Sequence, residues 1–436
     1  MPEETIRNNR SAKELLARKA SAGDCPREEL LARLRNEIRE DVLSRVDLNR
    51  QVADEEIHVL IQEAVIRAGR SWSIPIEERL VLERDVFRTL RGMDVLEEFM
   101  EDDEITEIMV NGPDQIFFEK NGRLCHSDRK FSSPEKLADL IQDIVGKSSR
   151  FINESQPIAD TRLLDGSRVN IVIPPVSPDG IVLTIRRFPK HPYTMEDLIA
   201  KETLDQETAE FLQQMVVSGY NIFISGGTGS GKTTLLNALA GYIPREDRIV
   251  TIEDSMELSL VGAEHLVRLE ARPALTDQDL EITIRDLVKN AMRMRPTRLI
   301  IGECRGAEAL EVLTAMNTGH DGSLSTGHAN SCRDMLLRLE TMVLMGADLP
   351  IPAIRSQIAA GIDLFVHVGR MRDQSRKILE IAETDGMEDG QIRLITLRRY
   401  KGDQGWEKVN ELSHTEKYER CFGSFADLNG SRRESF

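Results

Sequence analysis

Gly226-Gly-Thr-Gly-Ser-Gly-Lys-Thr233 decides the reading of this 436-residue chain. An apolar run, Tyr220-Asn-Ile-Phe-Ile-Ser225, precedes it, and Thr234-Leu-Leu-Asn-Ala-Leu-Ala240, of helical composition, follows. Strand, glycine loop and helix form the context in which G-x-x-x-x-G-K-T is a phosphate-binding loop rather than an ordinary Gly-rich turn. Gly226, Gly229 and Gly231 open backbone dihedrals that side chains would forbid. The loop can then turn its N–H groups inward onto an anion at a helix N-terminus. The expected nucleotide contacts are Gly227, Thr228, Gly229, Ser230, Gly231, Lys232, Thr233 and Thr234. Lys232 would reach the β- and γ-phosphates, and the Thr233 hydroxyl would ligate Mg²⁺. The implied ligands are ATP and Mg²⁺, since the chain holds no N-K-x-D guanine motif.

Around that loop the composition is that of a globular chain, 40% hydrophobic and 30% charged, long enough for two to three domains. A net charge of −17 opposes non-specific binding to nucleic-acid backbone, which needs a Lys/Arg field. The cysteines Cys25, Cys125, Cys304, Cys332 and Cys421 form no C-x-x-C pair, so no zinc module is read, and scattered thiols fit a reducing cytosol. No stretch approaches 18 apolar residues, and the acidic start Met1-Pro-Glu-Glu4 leads into no signal-like apolar core. A membrane role is therefore expected to go through partners.

Upstream, residues 1–24 are polar and aperiodic, read as a mobile tail. Leu30, Leu34, Ile38 and Val42 then recur every four residues, Asp54 to Ile66 carries an apolar face, and a third helix fits Leu80 to Leu90. Residues 1–90 thus read as tail plus helical bundle. Residues 91–188 read as a small α/β unit. Its strands are Ile105–Val110, Gln115–Phe118, Arg168–Ile173 and Ile181–Arg186, and a helix spans 134–148. Pro189-Lys-His-Pro192 opens a linker over 189–200. Residues 201–385 alternate strands (221–225, 247–252, 298–302) with helices (231–241, 277–293), the latter with Thr276 and Asp279 as a capping box. Such alternation predicts a parallel sheet with crossover helices. Residues 386–436 read as a C-terminal extension, with a strand at 391–396 and a disordered end.

Three later segments supply chemistry beyond phosphate binding. Val250-Thr-Ile-Glu-Asp-Ser-Met-Glu257 ends a strand on Glu253, Asp254 and Glu257, and Leu299-Ile-Ile-Gly-Glu303 delivers one carboxylate at a strand end. Ligands of open parallel sheets bind at that edge, so these acids should share the crevice with the loop. One can polarise the attacking water, and another can hold Mg²⁺ through water. Thr318-Gly-His-Asp-Gly-Ser-Leu-Ser-Thr-Gly-His328 sets two histidines eight residues apart. A metal pair lacks a third ligand; a sensor of the γ-phosphate fits the position after the Glu303 strand better.

On these residues the chain resembles the secretion-superfamily ATPases, in particular the CpaF type that powers Tad/Flp (type IVc) pilus assembly. The likeness covers about residues 40–385. It is sharpest over Thr283-Ile-Arg-Asp-Leu-Val-Lys-Asn-Ala-Met-Arg-Met-Arg-Pro296, Gly302-Glu-Cys-Arg-Gly-Ala-Glu-Ala-Leu310 and Ala315-Met-Asn-Thr-Gly-His-Asp-Gly322. Asp165–Pro175, Thr184-Ile-Arg-Arg-Phe188 and Thr106–Gly112 are also similar to the family. The resemblance implies an α/β fold: a RecA-like P-loop NTPase domain preceded by a PAS-like α/β N-terminal domain and a helical extension, assembled as a homohexamer. Thr251–Glu257 is similar to the family's Asp box, whose last glutamate, here Glu257, acts as catalytic base. Gly302-Glu303 is similar to its Walker B, and Glu303 would bind Mg²⁺ largely through water. Thr318–His328 matches its His box. The arginines lent by the N-terminal domain map to Arg168 and Arg186, with Arg187 a close competitor. Two positions depart from the pattern: Gly327 stands where Ile or Thr is usual, and Cys304 where Val is commoner.

The implied partners are further copies of the chain and polytopic inner-membrane platform proteins, with no direct nucleic acid. The implied location is the cytoplasmic face of that membrane. Within the superfamily a type II or type IV secretion ATPase is the nearest alternative. The lack of a four-cysteine zinc insert disfavours the first, and the helical extension favours the CpaF type over the shorter type IV enzymes. A RecA-like nucleic-acid translocase lacks the basic–aromatic stripe that single strands need. A non-hydrolysing scaffold would have no use for Lys232, Thr233, Glu257 and Glu303 together.

Overall fold

The computed structural model describes residues 27–45, 54–72, 74–91, 93–120, 122–147, 151–163, 165–188, 192–260, 262–272, 274 and 280–423. The chain forms two compact units, residues 1–189 and 190–436. The expected mobility of residues 1–24 and of the last ten residues, and the capping pair Thr276/Asp279, lie outside the described residues, as does most of the Pro189–Pro192 linker.

In the first unit three helices come in order: α1 (Arg27–Arg45), α2 (Asp54–Trp72) and α3 (Ile76–Arg91). Leu34, Ile38, Val42, Ile57, Ile61, Val65, Leu82 and Val86 meet at their centre. The four-residue spacing puts these positions on one face of each helix. The strands β1 (Ile105–Asn111), β2 (Ile116–Lys120), β3 (Arg123–Ser127), β4 (Ile158–Arg162), β5 (Arg168–Val172) and β6 (Val182–Arg186) form an antiparallel sheet in the order β3-β2-β1-β6-β5-β4. Its buried face, with Ile108, Val110, Val169, Ile171, Leu183 and Ile185, packs on Leu137, Ile141, Ile144 and Val145 of α4 (Pro134–Lys147).

The second unit is built on nine strands. They are β7 (Ile222–Gly226), β8 (Ile249–Glu253), β9 (Leu266–Glu270), β10 (Arg298–Ile301), β11 (Leu324–His328), β12 (Leu364–Arg370), β13 (Arg376–Glu388), β14 (Gln391–Tyr400) and β15 (Trp406–Lys408). Their order is β15-β14-β13-β12-β7-β11-β10-β8-β9. From β12 to β9 every pairing is parallel; β13, β14 and β15 continue it antiparallel. This is the RecA-like sheet expected, with the phosphate-loop strand β7 at its centre. Both faces are covered. Ile222, Ile224, Ile249 and Ile300 join one core with α5 (Gln206–Val217) and α6 (Lys232–Ala240). Phe223, Val250, Ile252, Leu299 and Ile301 join the other with α7 (Ile284–Ala291), α8 (Ala309–Asn317), α9 (Cys332–Gly346) and α10 (Ile351–Gly361). Neighbouring strand residues point to opposite faces, which is why a sheet covered on both sides reads as a continuous apolar run.

Three boundaries differ from the sequence reading. Helix α7 begins at Ile284, where Thr283 and Asp286 form a reciprocal capping box. Residues 195–200, placed in a linker, form a short helix with its own capping box from Thr194 and Asp197. β13 runs from Arg376 through position 385 to Glu388, so the sheet continues where an extension was expected to begin. Among the described residues no helix is long and apolar enough to cross a membrane.

Candidate nucleotide site

The C-terminal ends of β7, β8, β10 and β11 share one edge of the sheet. Gly226 ends β7, and the loop after it closes at Gly231, whose φ of +94° makes it a left-handed cap for α6. Gly229 also takes the left-handed region, φ +67°. An L-residue would be strained at both positions. Lys232, only 7% exposed, lies in the first turn of α6. Its Nζ donates to the carbonyl oxygens of Gly226 (3.2 Å) and Gly227 (2.9 Å) and stands 3.4 Å from His328 Nδ1.

His328 meets that lysine because β11 pairs in parallel with β7, opposing His328 to Gly226. Its Nε2 is 2.8 Å from Glu303 Oε1. An ammonium only donates, so Nδ1 accepts from Lys232 and a neutral ring carries its proton on Nε2, close to the carboxylate but not hydrogen-bonded to Oε1. Burial, with Lys232 next, holds the imidazole below its ordinary pKa, the range in which a neutral ring makes both contacts.

Glu303 follows β10, and its Oε2 accepts from Arg305 at 2.6 Å. Arg305 also reaches Asp254 Oδ2 at 3.1 Å, just beyond β8. The Glu303 hydrogen bond and the charges of Asp254, Glu303 and Glu257 push the Arg305 pKa up. Asp254, Arg305, Glu303, His328 and Lys232 thus form one connected line across the strand ends. Arg305 went unassigned in the sequence reading, although it lies two residues after Glu303. Arg376 was missed too. Its Nε donates to Gly229 O at 3.3 Å from the start of β13, 147 positions away, and no local pattern signals such a contact.

Glu253 is turned away from solvent and back on its own chain. It is 2% exposed, and its Oε2 accepts the backbone N–H groups of Glu257 (2.6 Å) and Leu258 (2.8 Å). The two histidines do not pair. His320 precedes β11, with Nδ1 at 3.1 Å from Ala315 O, while His328 ends that strand. Five extended residues at about 3.3 Å each hold them apart. Among the described residues no group of three or more His, Cys, Asp or Glu is placed to hold a metal. For Mg²⁺ with nucleotide, the Thr233 hydroxyl in the first turn of α6 and the Glu303 carboxylate at the strand end are hard oxygen donors of the right kind.

The two departures have packing reasons. A Cβ on Gly327 would come within 3.0 Å of Met335 and Phe223, which fill the space a larger residue would take. Cys304 is fully buried in the core behind β10, and burial pushes its thiol pKa well up, so it serves as a small apolar side chain.

In the first unit Arg168 and Arg186 sit directly opposite each other across β5 and β6. The Arg186 side chain is 55% exposed, 3.8 Å from Glu107. Its competitor Arg187 is committed elsewhere: its guanidinium is 6% exposed and donates to the carbonyls of Phe99, Met100, Asp102 and Ile105.

Comparison with known proteins adds the lineage. The family model "Type II/IV secretion system protein" matches residues 89–392. A Mycobacterium tuberculosis protein named for conjugal transfer is 34% identical over 322 residues, 72% of this chain and 90% of that protein. The type IV secretion system protein VirB11 of Brucella suis is 30% identical over 358 residues, 74% of this chain and 93% of its own. PtlH of Bordetella pertussis, also a type IV secretion system protein, is 33% identical over 311 residues, 65% and 91%. Among solved structures, the ATPase DotB of Legionella pneumophila matches 67% of this chain and 80% of its own at 25% identity, with a TM-score of 0.48.

Proposed function

Because this chain belongs to the type II/IV secretion system protein family and is an ATPase of it, we propose that it is a hexameric motor driving assembly of a Tad/Flp-type pilus. The observation that carries the reading is the line from Lys232 through His328 and Glu303 to Arg305 and Asp254 at one sheet edge. Lys232 would hold the β- and γ-phosphates. Glu257 would take the proton of the attacking water, and His328 would report the γ-phosphate to Glu303. Mg²⁺, held by Thr233 and by Glu303 through water, would neutralise charge on the phosphates. Arg168 and Arg186 would supply positive charge to the transferring phosphoryl group, a role worth about 10³–10⁵ in rate in related phosphoryl-transfer sites. The exposed Arg186 suits that task, whereas Arg187 is bound into its own unit.

What supports the Tad/Flp reading over a type IV secretion system is the three-helix bundle over residues 27–91, most of it ahead of the matched region. The names of the relatives favour type IV secretion, so the test separates the two. A chromosomal Lys232→Ala strain should lose surface pili while pilin accumulates unassembled. Intact pili beside lost export of a secreted protein or DNA would replace the Tad/Flp role with type IV secretion. The ring is tested by light scattering with Mg²⁺ and a non-hydrolysable ATP analogue. Six-subunit mass is expected, and a fully active monomer at every concentration would overturn it.

A further inference from the structure

Glu253 ends β8 with its side chain on the sheet face that carries α6. A carboxylate there is costly to bury unless backbone donors meet it. The neighbouring strand makes room. Gly302, whose N–H donates to Ile252 O at 2.9 Å, lies beside it, and a Cβ on Gly302 would stand 3.0 Å from Glu253 Cγ. Through that notch the side chain turns back on its own chain and takes the N–H groups of residues 257 and 258 on one oxygen. The segment is tied at two more points: Arg268 Nη2 donates to Leu258 O at 3.0 Å, and Ser259 N donates to Asn237 Oδ1 of α6, also at 3.0 Å. Leu258, 2% exposed, plugs into the core beneath α6. Residues 254–259 therefore form a strap stretched between β8 and the helix that begins with Lys232.

We infer that Glu253 is a positioning residue for hydrolysis: seated over Gly302, it fixes the backbone of Glu257 and so sets where the Glu257 carboxylate stands. The inference rests on Glu257 being the catalytic base. It predicts that the loss falls on chemistry and not on nucleotide binding, because the hydrogen bonds of Glu253 go to residues 257 and 258, beyond β8, rather than to the phosphate loop.

The test is steady-state ATP turnover by the full chain. Glu253→Ala should lower kcat about 10- to 100-fold, short of the about 10²–10⁴ lost with the base itself. KM and ADP affinity should stay within about twofold. Glu253→Gln should keep kcat within about threefold, since its amide oxygen can take both N–H groups. Gly302→Ala should lower kcat in the same direction by crowding the carboxylate without removing it. In a Glu257→Gln background, Glu253→Ala should add less than about twofold, because residues acting through one another are not additive. Thermal melting confirms that each variant is folded. Wild-type turnover by Glu253→Ala beside a slow Glu257→Gln overturns the positioning role alone. The full Glu253→Ala factor in the Glu257→Gln background also overturns it. Wild-type turnover by Glu257→Gln overturns the base assignment, and this role with it.

Discussion

Replacing His328 by Ala breaks the line between Lys232 and Glu303. The imidazole accepts from Lys232 Nζ at 3.4 Å, and its Nε2 lies 2.8 Å from Glu303 Oε1. A hydrogen bond to a charged group is worth about 1.5–3 kcal/mol. The imidazole is 35% exposed, and solvent screening reduces that to about 1–2 kcal/mol. At 1.36 kcal/mol per decade in rate, this is about five- to thirtyfold in kcat if the contact matters most in the transition state. The assay is turnover at saturating Mg·ATP with ADP affinity measured in parallel, and ADP affinity should move little. The pH profile adds a second readout. With its pKa held below the ordinary imidazole value, His328 is neutral above that range and keeps both contacts. As pH falls through the depressed value the ring gains a proton at Nδ1, facing Lys232, and turnover should fall on that acid limb. His328→Ala should lose that limb. A kcat within twofold of wild type, with the acid limb intact, would refute the reasoning.

Other outcomes follow from the same geometry. Arg186→Ala should lower turnover at least tenfold, a loose bound against the about 10³–10⁵ of related arginine fingers, with an unchanged melting temperature. Arg187→Ala should instead destabilise the fold by about 3–5 kcal/mol, read by chemical denaturation, because its buried guanidinium satisfies four carbonyls. His367, 7% exposed with Nδ1 at 3.0 Å from Ser225 Oγ, has its pKa lowered chiefly by burial. A depressed pKa gives stability that is present above the unfolded imidazole value and lost as pH falls through the folded one. The melting temperature should therefore drop between pH 7 and 5, and His367→Gln should flatten that slope; an equal slope in both proteins would rule His367 out as its source.

The sequence made some of this plain and hid the rest for physical reasons. The phosphate loop was readable because strand, glycines and helix are contiguous. The Glu303 strand was readable because a buried parallel strand is a bare apolar run. Parallel pairing places Gly226 beside His328, but nothing in the spacing of His320 and His328 revealed that a strand holds them apart. Glu253, Asp254 and Glu257 looked alike as acids after a strand. The notch at Gly302 and the backbone N–H groups beyond it distinguish the buried brace from its half-buried neighbour Asp254. Arg186 and Arg187 were indistinguishable as adjacent residues until strand alternation sent one outward and the other into the carbonyls around Ile105. Arg376 reaches the loop by way of an antiparallel hairpin, a contact that long-range pairing alone creates.

The most direct test of the account is hydrolysis by Glu257→Gln, with Lys232→Ala as its companion. The account predicts that Glu257→Gln binds ATP as tightly as the wild type yet turns it over about 10²–10⁴-fold more slowly, as loss of a general base requires, while Lys232→Ala loses nucleotide binding. A Glu257→Gln protein that hydrolyses ATP at the wild-type rate would contradict the assignment of chemistry to the strap beyond β8.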